Sequence, residues 1–267
     1  MIIIEKWSGG LGNNIAQLSN IIDIALFYKH NVSFVIKDKN EFGGVYFDLK
    51  IIEEYFNKYE NDKIIKDATH FFPPTFQSSF PKGVFNKDNK IKIDLLKRAF
   101  IMKDIPKLNG DTVVVHIRSG DMFCKFPHPA YIPMPLDYYI KMLNKANKKK
   151  IIIVSEDKIN PVINKLMELY DNIIYTKNTL LEDIKIILGA ENLISGRGFF
   201  AKYLLTISNN IKNHYDMTMY EKEQEKYNLI MKPWRNTIKQ RRYILTYNID
   251  DNAELNKATT FRMLWHY

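Results

Sequence analysis

The feature that most constrains this chain is a short apolar run opening directly into a glycine turn, met twice about a hundred residues apart: Trp7-Ser8-Gly9-Gly10-Leu11-Gly12-Asn13-Asn14 and Val113-Val114-Val115-His116-Ile117-Arg118-Ser119-Gly120-Asp121. In open α/β sheets, turns at the carboxyl ends of strands are where anionic ligands bind. Around the first turn the pattern predicts a strand over 2–7, a helix over 13–28 with Ile15, Leu18, Ile22, Ala25 and Leu26 on its apolar face, and a strand over 32–36. Strand, glycine turn, helix and strand in that order form the unit from which parallel sheets are built.

The alternation resumes further on. Helices are predicted over 51–59 and 91–102, and a loop over 71–83 where Pro73, Pro74 and Pro81 fall. A second series has strands over 112–117, 151–155, 173–175 and 192–194, with helices over 135–147, 161–170, 180–188 and 199–208. The proline-rich stretch 123–135 reads as a long functional loop. Beyond Asn209 the pattern weakens to a helix over 220–227 and a strand over 243–249. A break near Leu108 divides the chain into halves, 1–108 and 109–267; one continuous sheet is the alternative. The fold class is α/β.

Composition narrows the function. Of 267 residues, 46% are hydrophobic and 26% charged, as in a globular protein. The net charge of +9 favours an anionic partner: a nucleotide, a nucleic acid or an acidic membrane surface. Lys148-Lys149-Lys150 and Lys239-Gln240-Arg241-Arg242 read as solvated faces. Cys124 stands alone, which excludes an intramolecular disulfide framework and a multi-cysteine zinc site and favours a reducing compartment. Residues 1–4 are too short for a signal core and no apolar run approaches a bilayer span, so the expected location is cytoplasmic.

Three segments could carry chemistry. Gly9-Gly10-Leu11-Gly12 allows close backbone approach and opens a helix whose first N–H groups face a ligand, although its spacing is neither a dinucleotide fingerprint nor a Walker loop. A plain tight turn is the bland reading. At the end of its strand, His116 and Arg118 point to one side, Arg118 offers a guanidinium fork to phosphate oxygens, and Gly120 lets the turn approach. The competing role is an Arg118–Asp121 ion pair that shapes the turn. Ser195-Gly196-Arg197-Gly198-Phe199 repeats the logic as a second phosphate cradle, against a helix entry without ligand. Glu156-Asp157 and Asp250-Asp251 read as solvated turns, and His116, His128 and His214 lack ligand spacing, so no metal is expected.

Gly9-Gly10-Leu11-Gly12-Asn13 followed by His116-Ile117-Arg118-Ser119-Gly120-Asp121 resembles the alpha-1,2-fucosyltransferases and the wider fucosyltransferase superfamily with the H-x-R-x-G-D motif. The strand ending in Glu156-Asp157, and Leu180-Leu181-Glu182-Asp183 leading to Ser195-Gly196-Arg197-Gly198-Phe199, extend the similarity over roughly residues 2–208. The resemblance implies a GT-B fold, two Rossmann-like halves facing across a cleft, with acceptor on the first half and nucleotide sugar on the second. It implies that Arg118 holds the donor diphosphate and that His116 and Asp183 position the nucleotide or sugar. Residues 195–199, including Gly196, Arg197 and Gly198, would bind phosphate or base, and Gly10, Gly12 and Asn13 would close the cleft. Asn14 stands where that family carries Gln, and Phe199-Phe200-Ala201-Lys202 where it carries a tryptophan-rich segment.

The expected activity is therefore inverting, metal-independent transfer of a sugar, L-fucose from GDP-fucose first, to a hydroxyl of a glycan acceptor, with no cofactor. A UDP- or dTDP-linked sugar is the alternative donor. Fixed positive donors at the departing diphosphate lower such a barrier most directly, which Arg118 supplies without a metal. Asp121 and Glu41 are the candidate bases. A non-catalytic nucleic-acid-binding module is a competing class, favoured by charge and by the 13% aromatic content, but opposed by the scattered basic residues and the lack of an RRM, KH or zinc pattern. Missing Walker and kinase motifs disfavour a kinase. No nucleic-acid partner is expected; peripheral contact with an acidic membrane fits the charge.

Overall fold

The computed structural model describes residues 1–36, 46–60, 64, 80–81, 83–127, 133–223 and 245. It divides into two compact units, one of residues 1–105 and 198–209, the other of residues 106–197 and 210–267. The division is not the single break near Leu108 that the sequence suggests, because residues 198–209 return to the first unit.

In the first unit, strands Ile2–Ile4 (β1) and Val32–Phe34 (β2) pair in parallel, joined by the helix Leu11–Tyr28 (α1). Between residues 11 and 25 only Asn13 escapes burial, so α1 is a central helix surrounded by protein. Lys90–Ala99 (α3) packs on α1 and Lys50–Phe56 (α2) packs on α3 and β2; α3 is capped by the Asn89 side chain, which accepts from the Ile91 and Lys92 amides.

The second unit is a five-stranded parallel sheet made of Thr112–His116 (β3), Lys150–Val154 (β4), Ile173–Tyr175 (β5), Asn192–Ser195 (β6) and Asn213–Tyr215 (β7), in the order β5-β4-β3-β6-β7. All five residues of β3 are buried, as a central parallel strand covered on both faces requires. Helices Leu136–Ala146 (α4) and Pro161–Leu169 (α5) share one core with Val113, Val115, Ile151 and Ile153, while Leu180–Gly189 (α6) packs on β3 and β4. Pro161 at the first helical position and Asn160 as cap start α5; Thr179 and Glu182 form a reciprocal capping box on α6.

Phe199–Ile207 (α7) follows β6 in sequence, yet its buried face of Ala201, Leu204 and Ile207 packs on α1 and α3 in the first unit. Gly12 makes this possible. A β-carbon there would lie 2.5 Å from the Phe200 amide nitrogen, so no other residue lets the two helix starts approach so closely. Met217–Glu223 (α8) is the last described helix; the strand predicted over 243–249 lies outside the described residues, as does most of the loop 71–83. Among the described residues no helix is long and apolar enough to cross a membrane.

Candidate functional site

Read in chain order, the sheet of the second unit runs 3-2-1-4-5, so its connections reverse direction between β3 and β6. At such a switch point the loops leaving the two strands part and open a crevice at their carboxyl ends, where open α/β sheets bind ligands. His116 is register-paired with Ser195, so the segments 116–118 and 195–197 leave the sheet side by side. Arg118, Met122, Pro133, Met134, Tyr139, Gly196 and Arg197 line an open pocket there. Two arginines share the lining of one small depression.

The turn carrying Arg118 is built from neighbours. Asn160 donates its side-chain amide to the Arg118 carbonyl at 3.0 Å, and its backbone N–H donates to Ser119 Oγ at 2.9 Å. Ser119 Oγ in turn donates to the Asp157 carboxylate, which also accepts from the Ile159 amide at 2.9 Å. Gly120 has φ +48°, and a β-carbon there would overlap Glu156 Oε1. Only glycine fits both demands. The pair Glu156-Asp157 is thus not simply the solvated turn that its sequence suggests: it braces the neighbouring loop. Partial burial first, then the charges of Asp121 and Asp157, push the Glu156 carboxyl up, opposed by Arg118 and by a hydrogen bond from the Asp121 amide.

The Arg118–Asp121 ion pair is present: Nη2 donates to the two carboxylate oxygens at 3.0 and 3.2 Å, with the arginine side chain 31% exposed. Arg118 also lines the pocket. His116 is buried, and burial together with the Arg118 charge pulls it down to about 4, so at neutral pH it is an uncharged imidazole. It can hydrogen-bond a ligand or position the strand end, but it does not add positive charge.

Ser195 Oγ lies 2.7 Å from His214 Nε2, and His214 Nδ1 lies 3.9 Å from Asp216 Oδ2. His214, set aside in the sequence for want of ligand spacing, orients the serine through strand β7. Arg197 donates from Nε to Met217 Sδ at 2.9 Å. Asp183 sits in the first turn of α6, on the β5 side; burial raises its carboxyl to about 6, against the Asn178 amide that donates to it at 3.0 Å.

His116, Arg118, Asp121, Ser195, Gly196 and Arg197 are therefore assembled in the second unit. Gly10, Gly12, Asn13, Gly198 and Phe199 belong to the first. There Gly10 caps α1 and is exposed, whereas Gly12 is buried against residues 199–200. The turn before α1 is held by Asn14, which donates to the Ser8 carbonyl at 3.2 Å, and by Gln17, which the sequence does not single out and which bridges the Lys6 carbonyl and the Ser8 amide. Tyr139 and Met122 at the pocket are not candidate site residues in the sequence, and Met134 enters there only as part of the functional loop 123–135. Glu41 and His128 lie outside the described residues. Among the described residues no group of three His, Cys, Asp or Glu is placed to hold a metal ion.

A parallel sheet in this order, with arginines at the switch point, defines a Rossmann-like α/β unit suited to a phosphorylated ligand. Neither a family model nor a curated protein sequence matches the chain. Among solved structures it is similar to POFUT1 in complex with GDP, at 10% identity, covering 80% of this chain and 97% of that one with a TM-score of 0.45. It is also similar to NodZ alpha-1,6-fucosyltransferase soaked with GDP-fucose, at 9% identity over 77% of this chain and 92% of that one, TM-score 0.43. A third similarity is to fucosyltransferase NodZ from Bradyrhizobium, at 10% identity over 82% and 96%, TM-score 0.37. With overlaps this loose, the function of the chain rests on its own residues.

Proposed function

We propose that the protein is an inverting, metal-independent glycosyltransferase of GT-B architecture that moves a sugar, L-fucose from GDP-fucose first, to a hydroxyl of a glycan acceptor. The observation that carries this reading is the emergence of Arg118 and Arg197 on either side of one switch-point pocket. Glycosyl transfer leaves negative charge on the departing diphosphate, and two preorganised guanidiniums meet that charge as it develops. Asp121 orients the first of them, and Asn160 and Ser119 fix the backbone beneath it. The choice of fucose rests on the H-x-R-x-G-D resemblance of residues 116–121. A cytoplasmic location, with peripheral contact to an acidic membrane surface, follows from the single cysteine and the +9 charge.

The test is a panel of GDP, UDP, GDP-fucose, UDP-sugars and oligonucleotides, each with and without EDTA, read by thermal shift. A ligand that binds only the folded state raises its apparent stability by mass action. The expected result is stabilisation by GDP and GDP-fucose that EDTA leaves unchanged. Stabilisation by UDP compounds alone would move the donor to another sugar, and stabilisation by oligonucleotides alone would overturn the enzyme reading.

A further inference from the structure

Tyr139 lies in the first half of α4, only 2% exposed, with its ring edge-on to Tyr138 at 4.9 Å between centroids. Such a residue would normally be counted as core. Its hydroxyl, however, has no hydrogen-bond partner among the described residues, while that of its neighbour Tyr138 donates to the Ser195 carbonyl at 2.6 Å. The oxygen is not one of the fully sealed polar atoms, so the tip of this otherwise buried side chain stays open to a hydrogen-bonding ligand. The unpaired hydroxyl is also at the site: Tyr139 lines the pocket with Arg118 and Arg197. Gly196 provides the opening, since a β-carbon there would stand 3.0 Å from Tyr139 Oη and 3.0 Å from Met134 Cγ.

We propose that Tyr139 is a further substrate-contacting residue, its phenol donating a hydrogen bond to a phosphoryl oxygen held between Arg118 and Arg197. The inference rests on the sugar-nucleotide reading above and deepens it by naming a third donor. Chemistry selects the partner. Beside two guanidiniums the favoured occupant is an anion, and a phenol that burial keeps protonated well past neutral pH can only strengthen that preference as a donor. Met122, Pro133 and Met134 complete the lining.

The test is calorimetric titration of the full chain with GDP and with inorganic pyrophosphate, comparing wild type and Tyr139→Phe. Phenylalanine keeps the ring and its contact with Tyr138 and deletes only the hydroxyl. Loss of a hydrogen bond to a charged group predicts binding weaker by about tenfold or more. The factor should be the same for both ligands, because the contact is to phosphate and not to base, and the melting temperature of the free protein should be unchanged. Gly196→Ala, which keeps the phenol's chemistry but crowds its oxygen, should weaken both ligands as well and keeps the inference testable if the phenylalanine variant fails to fold. Wild-type binding of both ligands with Tyr139→Phe within twofold would overturn this inference and leave the sugar-nucleotide reading standing. Wild type binding neither ligand would overturn both.

Discussion

Arg118 is held by Asp121 on one side and lines the pocket on the other, so its removal takes charge from the site without disturbing the core. Arg118→Ala should lower the rate of transfer by ~10²- to 10³-fold, the usual cost of deleting one electrostatic donor, with an unchanged circular dichroism spectrum. Wild-type turnover in that variant would remove Arg118 from the mechanism. Arg118→Lys should recover little, because a single ammonium cannot hold Asp121 and a phosphate with one planar fork. His116 supplies a pH signature. Its folded value of about 4 lies below the 6.5 of an unfolded histidine, so on acidification the unfolded chain binds the proton first. Stability is therefore lost as pH falls from about 6.5 to about 4, by roughly 3 kcal/mol in all. Asp183, raised to about 6, works in the opposite sense: its contribution is present below about pH 4 and is lost as pH rises through 6. Denaturation of wild type and His116→Gln across pH 4–7 separates the two, since the stability of wild type relative to the variant should fall toward acid through the histidine alone. A constant difference would show that His116 does not titrate as its burial demands.

At the scale of elements, most boundaries could be read from sequence because period and punctuation agree. Asn160-Pro161 and Thr179 with Glu182 mark the starts of α5 and α6 by capping chemistry that needs no tertiary partner. Strand β7 could not be read. Asn213-His214-Tyr215 has neither apolar alternation nor β-branched residues, and it is a strand only because β6 offers an edge, aided by the Asn213 amide donating to Asn192 at 2.9 Å. With it went His214. Within the candidate site, residues 116–121 and 195–197 stand out in the sequence because glycine and arginine directly follow apolar strands. Tyr139 does not, because a tyrosine at helical spacing looks the same whether its hydroxyl meets protein or ligand. Asn160 serves two elements at once, capping α5 and holding the Arg118 carbonyl. Asn160→Ala should cost about 1–2 kcal/mol of stability from the lost cap. It should also weaken GDP binding, whereas replacing Asn89, the cap of α3, should cost similar stability and leave binding unchanged. Equal effects on binding would mean the loop is not held by Asn160.

On the scale of the whole molecule, the first unit contains a second kind of buried charge. Lys92 and Asp23 are almost wholly inaccessible, 2.6 Å apart, and Lys92 also donates to the Asn86 carbonyl at 2.6 Å, tying α1, α3 and the segment that leads into α3. Burial drives the Asp23 carboxyl up more than the lysine brings it down. Lys92→Met leaves that carboxyl without its partner and should destabilise by about 3 kcal/mol, while Asp23→Leu combined with Lys92→Met should regain most of it, as replaced buried pairs commonly do. Urea denaturation gives both values; a double variant no better than the single would mean that the pair is worth more than an apolar contact of its size.

Helix α7 has one consequence for how the chain is made. Residues 1–105 emerge from the ribosome with the α1 surface that α7 will cover still bare, and the covering segment begins only at Gly198. At ~5–20 residues per second, the 92 intervening residues take about 5–20 s to synthesise. For that interval the nascent first unit carries an uncovered apolar stripe beside Gly12, a natural place for a chaperone to hold it until its last helix arrives.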